Sequence, residues 1–388
     1  MSELSRLIKE KCPAGVDFVL LKTIAEIGTG SSDRINQDEN GAYPFYVRSQ
    51  TVLKSSRYLF DEEAIVIPGE GSIGDIFHFV VGKYDLHQRA YRIHFIDNRV
   101  ITKFAYYYLL ANFKNFIMMK AVSATVTSIR KPMIEDFHIP IPPLSIQREI
   151  IRILDNFTEL TAELTAELTA RKKQHEYYRN LLLSYDDDVP MVKLSHCCVS
   201  ISDGDHQAPP KTDNGIPFIT ISNVSNSNRI EFTDTKYVPE TYYSRLDDKR
   251  KAQVNDILYT VVGSYGIPVF IDSEMKFVFQ RHIAILRPDF RVVNPKYLYH
   301  SLQSFHFMKQ ADVMAVGAAQ RTITLSALNN MKIPLPSLDK QVRIVDILDR
   351  FDALITDIKH GLPAEIATRQ KQYEYYRDKL LTFRTLSA

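Results

Sequence analysis

Two stretches of the chain place apolar residues at three- and four-residue steps. The first runs through Ile150, Leu154, Phe157, Leu160, Leu164 and Leu168; the second through Ile344, Ile347, Leu348, Phe351, Leu354, Ile355 and Ile358. That spacing predicts helices that each bury one face against another helix. Pro142, Pro143 and Pro336 mark the starts, because proline disfavours helix for the residue before it; Ser145 and Asp339 are the candidate N-caps. The first helix is expected from Ser145 to about Leu183, a length of about 60 Å, too long to pack wholly inside one small domain. In the second stretch Gly361-Leu362-Pro363 predicts a kink or short break.

The two stretches are copies of one another. Ile139–Phe157 reads IPIPPLSIQREIIRILDNF and Ile333–Phe351 reads IPLPSLDKQVRIVDILDRF, aligned without a gap at an offset of 194 residues. Further on, RKKQHEYYR (Arg171–Arg179) matches RQKQYEYYR (Arg369–Arg377) at an offset of 198, so the second copy has gained four residues, about one helical turn. Thr161–Ala170 is a four-residue repeat, TAELTAELTA, of strong helix formers. As a length module, each added copy lengthens the helix by about 6 Å.

Before each helix lies a strand-rich region with Gly- and Pro-marked turns. Gly41–Arg48 lies opposite Gly215–Ile221, and the strand Ala64–Ile67 with Gly69-Glu70-Gly71-Ser72-Ile73-Gly74 lies opposite Asp256–Val262 with Gly263-Ser264-Tyr265-Gly266. Gln88-Arg89 matches Gln280-Arg281, a helix over Lys103–Phe116 matches one over Pro295–Phe307, and Thr127–Ile129 matches Thr322–Thr324. Two similar frames with different loops suggest two readers of different ligands.

Composition narrows the class. Hydrophobic residues are 45% and charged residues 24%, with a net charge of +2, as in an ordinary soluble globular protein. No run reaches the length of a membrane span, no signal-peptide core follows the charged N-terminus, and three cysteines give neither a disulfide framework nor metal spacing; a cytoplasmic location is expected. Gly69, Gly71 and Gly74 match G-x-G-x-x-G, but the strand-like Asp75–Val81 follows where a dinucleotide site needs a helix. There is no Walker motif, no Asp/Asn-Pro-Pro-aromatic methyl-transfer motif and no H-E-x-x-H; His196-Cys197-Cys198 and His206 lack ligand spacing, and Glu62-Glu63 and Asp186–Asp188 read as solvated loops. No catalytic, cofactor or metal site is assigned.

The duplicated IP-x-P helix start, the TAEL repeat and the EYYR helix end resemble the specificity subunits of type I restriction–modification enzymes, over essentially the whole chain. The resemblance implies an α+β fold. Two mixed α/β target-recognition domains (1–140 and 186–334) would be separated by two long antiparallel, coiled-coil-like helices (141–185 and 335–388), with a pseudo-twofold internal repeat. It implies a non-catalytic subunit that reads a split site in double-stranded DNA. It also implies docking to two methyltransferase subunits and to restriction/motor subunits, S-adenosylmethionine and ATP being used by those partners rather than by this chain. YPFYVRSQ in the first domain against IPFITISN in the second implies two different half-sites. Half-sites one helical turn apart lie about 34 Å apart, within reach of such a spacer.

DNA contacts call for Lys and Arg on phosphates and for Arg, Lys, Asn, Gln, Ser and Thr on base edges. In the first domain Arg48, Ser49, Gln50, Lys54 and Arg57 are the candidates; in the second they are His206, Lys211, Asn223, Lys249, Arg250, Ser264, Tyr265, Gln320 and Arg321. Gln88-Arg89 and Gln280-Arg281 occupy shared frame positions and read as structural. Tyr177, Tyr178, Tyr375 and Tyr376 are expected to pack between helices or against the methyltransferase. A nuclease or glycosyl-type hydrolase with unrecognised carboxylates, and a helical scaffold that binds only proteins, are the alternatives.

Overall fold

The strand Phe60–Pro68 changes character along its length. Its first half, Phe60–Glu63, alternates between half-buried and exposed positions, whereas Ala64–Pro68 is buried on both faces. An apolar run of that kind belongs in the middle of a covered sheet. Here it is flanked by His78–Leu86 on one side and Ala90–Phe95 on the other, both antiparallel to it. The structure, a computed structural model, describes residues 3–71, 73–120, 128–184, 189–204, 209–225, 227–318, 320–356 and 361–386. The expectations for Ser72, Thr127, Asp186–Asp188, His206 and Ile358 therefore fall outside the described residues. The chain divides into two units, Met1–Glu163 with Ile366–Ala388, and Leu164–Glu365.

The first unit holds a six-stranded sheet in the order Ala25–Thr29, Ala90–Phe95, Phe60–Pro68, His78–Leu86, Tyr43–Tyr46, Leu53–Ser55. One pairing in it is parallel: Phe45 lies opposite Asp85 and Tyr46 opposite Leu86. The helix Thr102–Lys120 packs Phe104, Leu109 and Phe113 into a core with Ile65, Ile93, Ile146, Ile150 and Leu154. The second unit repeats this plan with one interruption. Cys198–Asp203, Ile283–Pro288, Ile257–Thr260 and Pro268–Phe270 form one sheet; Lys236–Val238, Ile216–Ile219 and Val278–Phe279 form another. The parallel pairing recurs, with Phe218 opposite Val278 and Ile219 opposite Phe279. Where the first unit has the single strand His78–Leu86, the second has two short strands, Pro268–Phe270 and Val278–Phe279, and that break divides the sheet in two.

The long helix runs over Leu144–Leu182. The second copy comprises Leu338–Thr356 and Leu362–Leu380. The expected break is therefore present: Gly361 is non-helical, and its carbonyl accepts the N–H groups of Ala364 and Glu365, which open the new helix. The divide between units assigns the first half of Leu144–Leu182 to the same unit as the chain's last helix, and its second half to the same unit as Leu338–Thr356. In each unit one aromatic stack joins the pair. Phe157 stacks on Tyr376 with centroids 5.3 Å apart, and Phe351 stacks on Tyr178 at 5.5 Å. These four residues are equivalents in the repeat, so the antiparallel pairing is built twice from the same parts. The stripe is not buried throughout, however: Leu160, Ile347 and Leu354 are exposed.

The predicted caps need correcting. The helices begin at Leu144 and Leu338, one residue before Ser145 and Asp339, and their first bonds go to the carbonyls of Pro143 and Ser337. A buried glutamine closes each start instead. Gln147 donates to the carbonyls of Pro142 and Arg99 (both 2.7 Å) and accepts from the Ile101 N–H (2.8 Å). Gln341 does the same with Pro336 (2.9 Å), Val292 (3.4 Å) and the Asn294 N–H (2.8 Å). A second correction concerns the helix expected over Pro295–Phe307. It is two helices, Pro295–Leu302 and Phe305–Met314, because the Ser304 hydroxyl caps a fresh start by accepting from the Phe307 N–H.

Candidate nucleic-acid interface

In both units a glycine-marked loop leaves the buried central strand and is tied to the segment that precedes the helical copy. In the first unit the Gly69 carbonyl accepts the Ile129 N–H at 2.7 Å, and Glu70 bridges to Ser128. In the second, the Val261 carbonyl accepts the Ile323 N–H at 2.8 Å and the Gly263 N–H donates to Arg321 at 2.9 Å. The glycines are required by backbone shape. Gly263 and Gly266 have φ of +71° and +94°, a region that side chains other than glycine's rarely adopt. Beyond Gly74 comes a turn and then the strand His78–Leu86 rather than a helix, so the glycine run is a close-packed loop and not a dinucleotide cradle.

The first unit's loop carries a charged trio. Arg48 reaches Glu70 at 2.9 Å and Arg89 reaches the same carboxylate at 3.1 Å. Bonds from the two guanidinium groups hold the Glu70 carboxyl below the usual carboxylate range. One carboxylate between two arginines leaves the trio with net positive charge at neutral pH. It borders a cleft of 550 Å³ that is also lined by Arg34, Ser49 and His87. Gln50 and Lys54 are exposed nearby, and the Ser49 hydroxyl donates to the Thr51 carbonyl. Arg57 departs from its expected role. It donates to the Ser32 hydroxyl at 2.8 Å and lies 3.6 Å from Asp85, a fully buried carboxylate that also accepts from Ser32 and Ser55. Its charge is committed to that buried group.

In the second unit Ser264, Tyr265, Gln320 and Arg321 converge. Arg321 lies over the Tyr265 ring, donates to its hydroxyl at 3.0 Å and donates to the Asp312 and Ala315 carbonyls. Tyr265 in turn donates to the Asp312 carboxylate at 2.8 Å, which pushes its phenol pKa up. Ser264 and Gln320 are exposed beside this stack. Asn223 is a correction: it is buried, and its carboxamide bonds to Thr220 and to the Glu231 carbonyl in a capping turn. Lys211 is exposed on a separate loop. Lys249 and Arg250 sit in a short helical turn where Asp247 and Asp248 offset the basic charge, Lys249 lying 3.5 Å from Asp247.

Two further arginines, Arg34 and Arg89, belong to this region of the first unit. Arg89 occupies a shared frame position that reads as structural, yet it is paired with Glu70, which lines the first unit's cleft. Arg34 lies in a capped turn, with Ile35 beside it 91% exposed, and no periodicity marks it. Gln88 does behave structurally, donating to Asp33 and, through its backbone, to Ser32.

Two tandem recognition frames, each followed by a copy of one helix, define a class. The family model described as "Type I restriction modification DNA specificity domain" matches residues 13–171 and again 204–368. The specificity subunit of the type I restriction enzyme EcoR124I/EcoR124II from Escherichia coli is 34% identical over 309 residues, covering 74% of this chain and 72% of that one. A Haemophilus influenzae protein that carries the name of a type I restriction enzyme specificity subunit is 31% identical over 363 residues, 89% of each chain. The crystal structure of a type I restriction–modification S subunit from M. genitalium shares the fold, with a TM-score of 0.58 at 15% identity over 95% of this chain and 97% of that one. The chain belongs to the family of type I restriction–modification specificity subunits. Among its described residues, no helix is long and apolar enough to cross a membrane.

Proposed function

We propose that the chain reads an asymmetric, bipartite site in double-stranded DNA, one half with residues 1–140 and the other with residues 186–334. The helical segments 141–185 and 335–388 set the number of unread bases and dock two methyltransferase subunits, and a restriction/motor subunit completes the enzyme. The chain itself is non-catalytic, and methyl donor and ATP are used by the partners. The observation that carries this reading is the contrast at the equivalent glycine-marked loops: Glu70, held by Arg48 and Arg89, in one unit, and Ser264 with Tyr265, which Arg321 lies over, in the other. Matched frames position the protein on equivalent stretches of duplex, and unlike side chains read unlike bases. Matched helical surfaces support two copies of one docking partner: Tyr177 and Tyr375 are equivalent, and each is exposed beside a packed tyrosine.

The test is methylome sequencing of cells that express this chain with its methyltransferase. A single two-part motif with unlike halves is expected. Deleting Thr161–Leu164 should shorten the gap and leave both halves unchanged; an altered half-site would overturn the spacer role. Methyl transfer by the purified chain alone would overturn the non-catalytic reading.

A further inference from the structure

The two units use different chemistry at one repeated place. Where the helical copy meets the helix after the sheet, the first unit brings together Tyr107, Asp155, Thr158 and Tyr373. The Tyr107 hydroxyl donates to Asp155 at 2.6 Å. The equivalents in the second unit are His300, Asp349, Asp352 and His175. Phenols and a hydroxyl have been replaced by two imidazoles and a carboxylate.

The arrangement of that second set is specific. His300 is fully buried, and its Nε2 lies 3.2 Å from Asp349, leaving Nδ1 buried with no hydrogen-bond partner and 3.9 Å from an Asp352 oxygen. His175 places Nδ1 3.5 Å from the other Asp352 oxygen, and its buried Nε2 has no hydrogen-bond partner. One ligand atom from each of His175, His300 and Asp352 can be chosen so that all lie within 4.8 Å of one another. Buried polar atoms are almost always hydrogen-bonded, and an unmatched ring nitrogen on each of two histidines that share one carboxylate calls for an explanation. A carboxylate holding the far nitrogen of a histidine is the usual support for a metal-bound imidazole.

We propose that His175, His300 and Asp352 bind one divalent transition-metal ion, with zinc as the best fit to two imidazoles and one carboxylate. Hard cations such as magnesium prefer oxygen ligands and are disfavoured here. Zinc–nitrogen distances of about 2.0–2.1 Å ask the trio to close by a fraction of an ångström to about an ångström and a half, a side-chain adjustment. Arg179 and Lys296 bring positive charge to the same region, and Asp349, Asp352 and Glu176 bring three carboxylates to offset it. A cavity of 1190 Å³, lined by His175, Glu176 and Asp352, gives water access to a fourth ligand position. The ion would pin three helices of the second unit together: the second half of Leu144–Leu182, Pro295–Leu302 and Leu338–Thr356.

The repeat supplies its own control. His175→Tyr, His300→Tyr and Asp352→Thr together install side chains that the same frame accommodates in the first unit. The full chain, stripped with chelator, is titrated with Zn²⁺ by calorimetry and with Co²⁺ by visible absorbance. One equivalent with micromolar or tighter affinity is expected, together with a melting temperature that rises with Zn²⁺. The triple variant is expected to bind at least a hundredfold more weakly and to show no Zn²⁺-dependent melting shift. The isosteric Asp352→Asn, which keeps the packing, should lose at least tenfold. Absence of a micromolar equivalent in the stripped wild-type chain overturns the proposal, as does undiminished affinity in either variant.

Discussion

Two places in the repeat can be compared position by position, and they have diverged to different degrees. At the helix start, Gln147 and Gln341 keep the same residue and the same three kinds of partner. About two turns on, Lys103–Asp155 and Lys296–Asp349 keep the same ion pair. Immediately beside them, Tyr107 and Tyr373 stand where His300 and His175 stand in the other unit. The difference teaches which contacts the architecture needs. A buried side chain that satisfies backbone groups from two segments cannot change without orphaning all of them. A neighbour that bonds to one side chain rather than to several backbone groups can be a phenol or an imidazole, as Tyr107 on Asp155 and His300 on Asp349 show, and a new site can arise there without disturbing the frame.

The largest expected effect breaks this comparison at its constant point. Gln147→Ala leaves a buried N–H and two carbonyls without their partner, and Gln341→Ala does the same in the second unit. With about 1–3 kcal/mol per orphaned group and partial relaxation, each variant should lose about 3 kcal/mol in denaturant unfolding. The two losses should match within about 1 kcal/mol. A loss below 1 kcal/mol in one unit only would show that the two starts are not equivalent. Arg57→Ala ranks next. Removing the cation beside the fully buried Asp85 should cost about 1–2 kcal/mol of stability, less than for a wholly buried pair because Arg57 is half exposed. It should leave the recognised sequence unchanged. A changed half-site would return Arg57 to the reading surface.

The variable loops sharpen the comparison from the other side. Arg48→Ala and Gln320→Ala should each weaken discrimination at one half-site only, by about ten- to a hundredfold per lost base contact, in competition binding with DNA altered in one half at a time. Loss spread evenly over both halves would mean that these side chains contact phosphate rather than bases. Raising the salt should weaken binding of both variants and of the parent chain alike, because the phosphate contacts are shared.

The helices were legible because their signals are local. Three- and four-residue periodicity, Pro-marked starts and the Gly361–Pro363 break are each contained in a few consecutive residues. The caps were misplaced because the group that closes the helix start, Gln147, acts through Arg99 and Ile101, more than forty positions away in sequence. The glycine-marked loops were legible in the sequence, but the internal partners of Asn223 and Arg57 were not, because composition does not reveal a partner. Asn223 satisfies a turn, and Arg57 answers Asp85, a strand residue whose burial depends on the parallel pairing of Tyr43–Tyr46 with His78–Leu86. The histidine–aspartate trio lay beyond any spacing rule, since its members come from positions 175, 300 and 352. Its one local sign was RKKQHEYYR against RQKQYEYYR, a single histidine for tyrosine in an otherwise close match.

The smallest predicted effect concerns the tyrosine pairs. Tyr178 and Tyr376 are held in stacks with Phe351 and Phe157, whereas their neighbours Tyr177 and Tyr375 are 63% and 60% exposed. A tyrosine left in solvent at the same place in both copies suits an interface, where its ring supplies apolar area and its hydroxyl a hydrogen bond. Tyr177→Ala and Tyr375→Ala should each weaken capture of one methyltransferase subunit about tenfold, about 1.4 kcal/mol in binding, with no change in the melting temperature of the isolated chain. Because the two surfaces are equivalent, each single variant should still assemble with one methyltransferase, and the double variant should assemble with none at concentrations where the parent chain takes two. Native mass spectrometry counts the subunits directly. A single variant that loses both subunits together would mean that the two docking surfaces are coupled, and the picture of two independent copies of one interface would have to be abandoned.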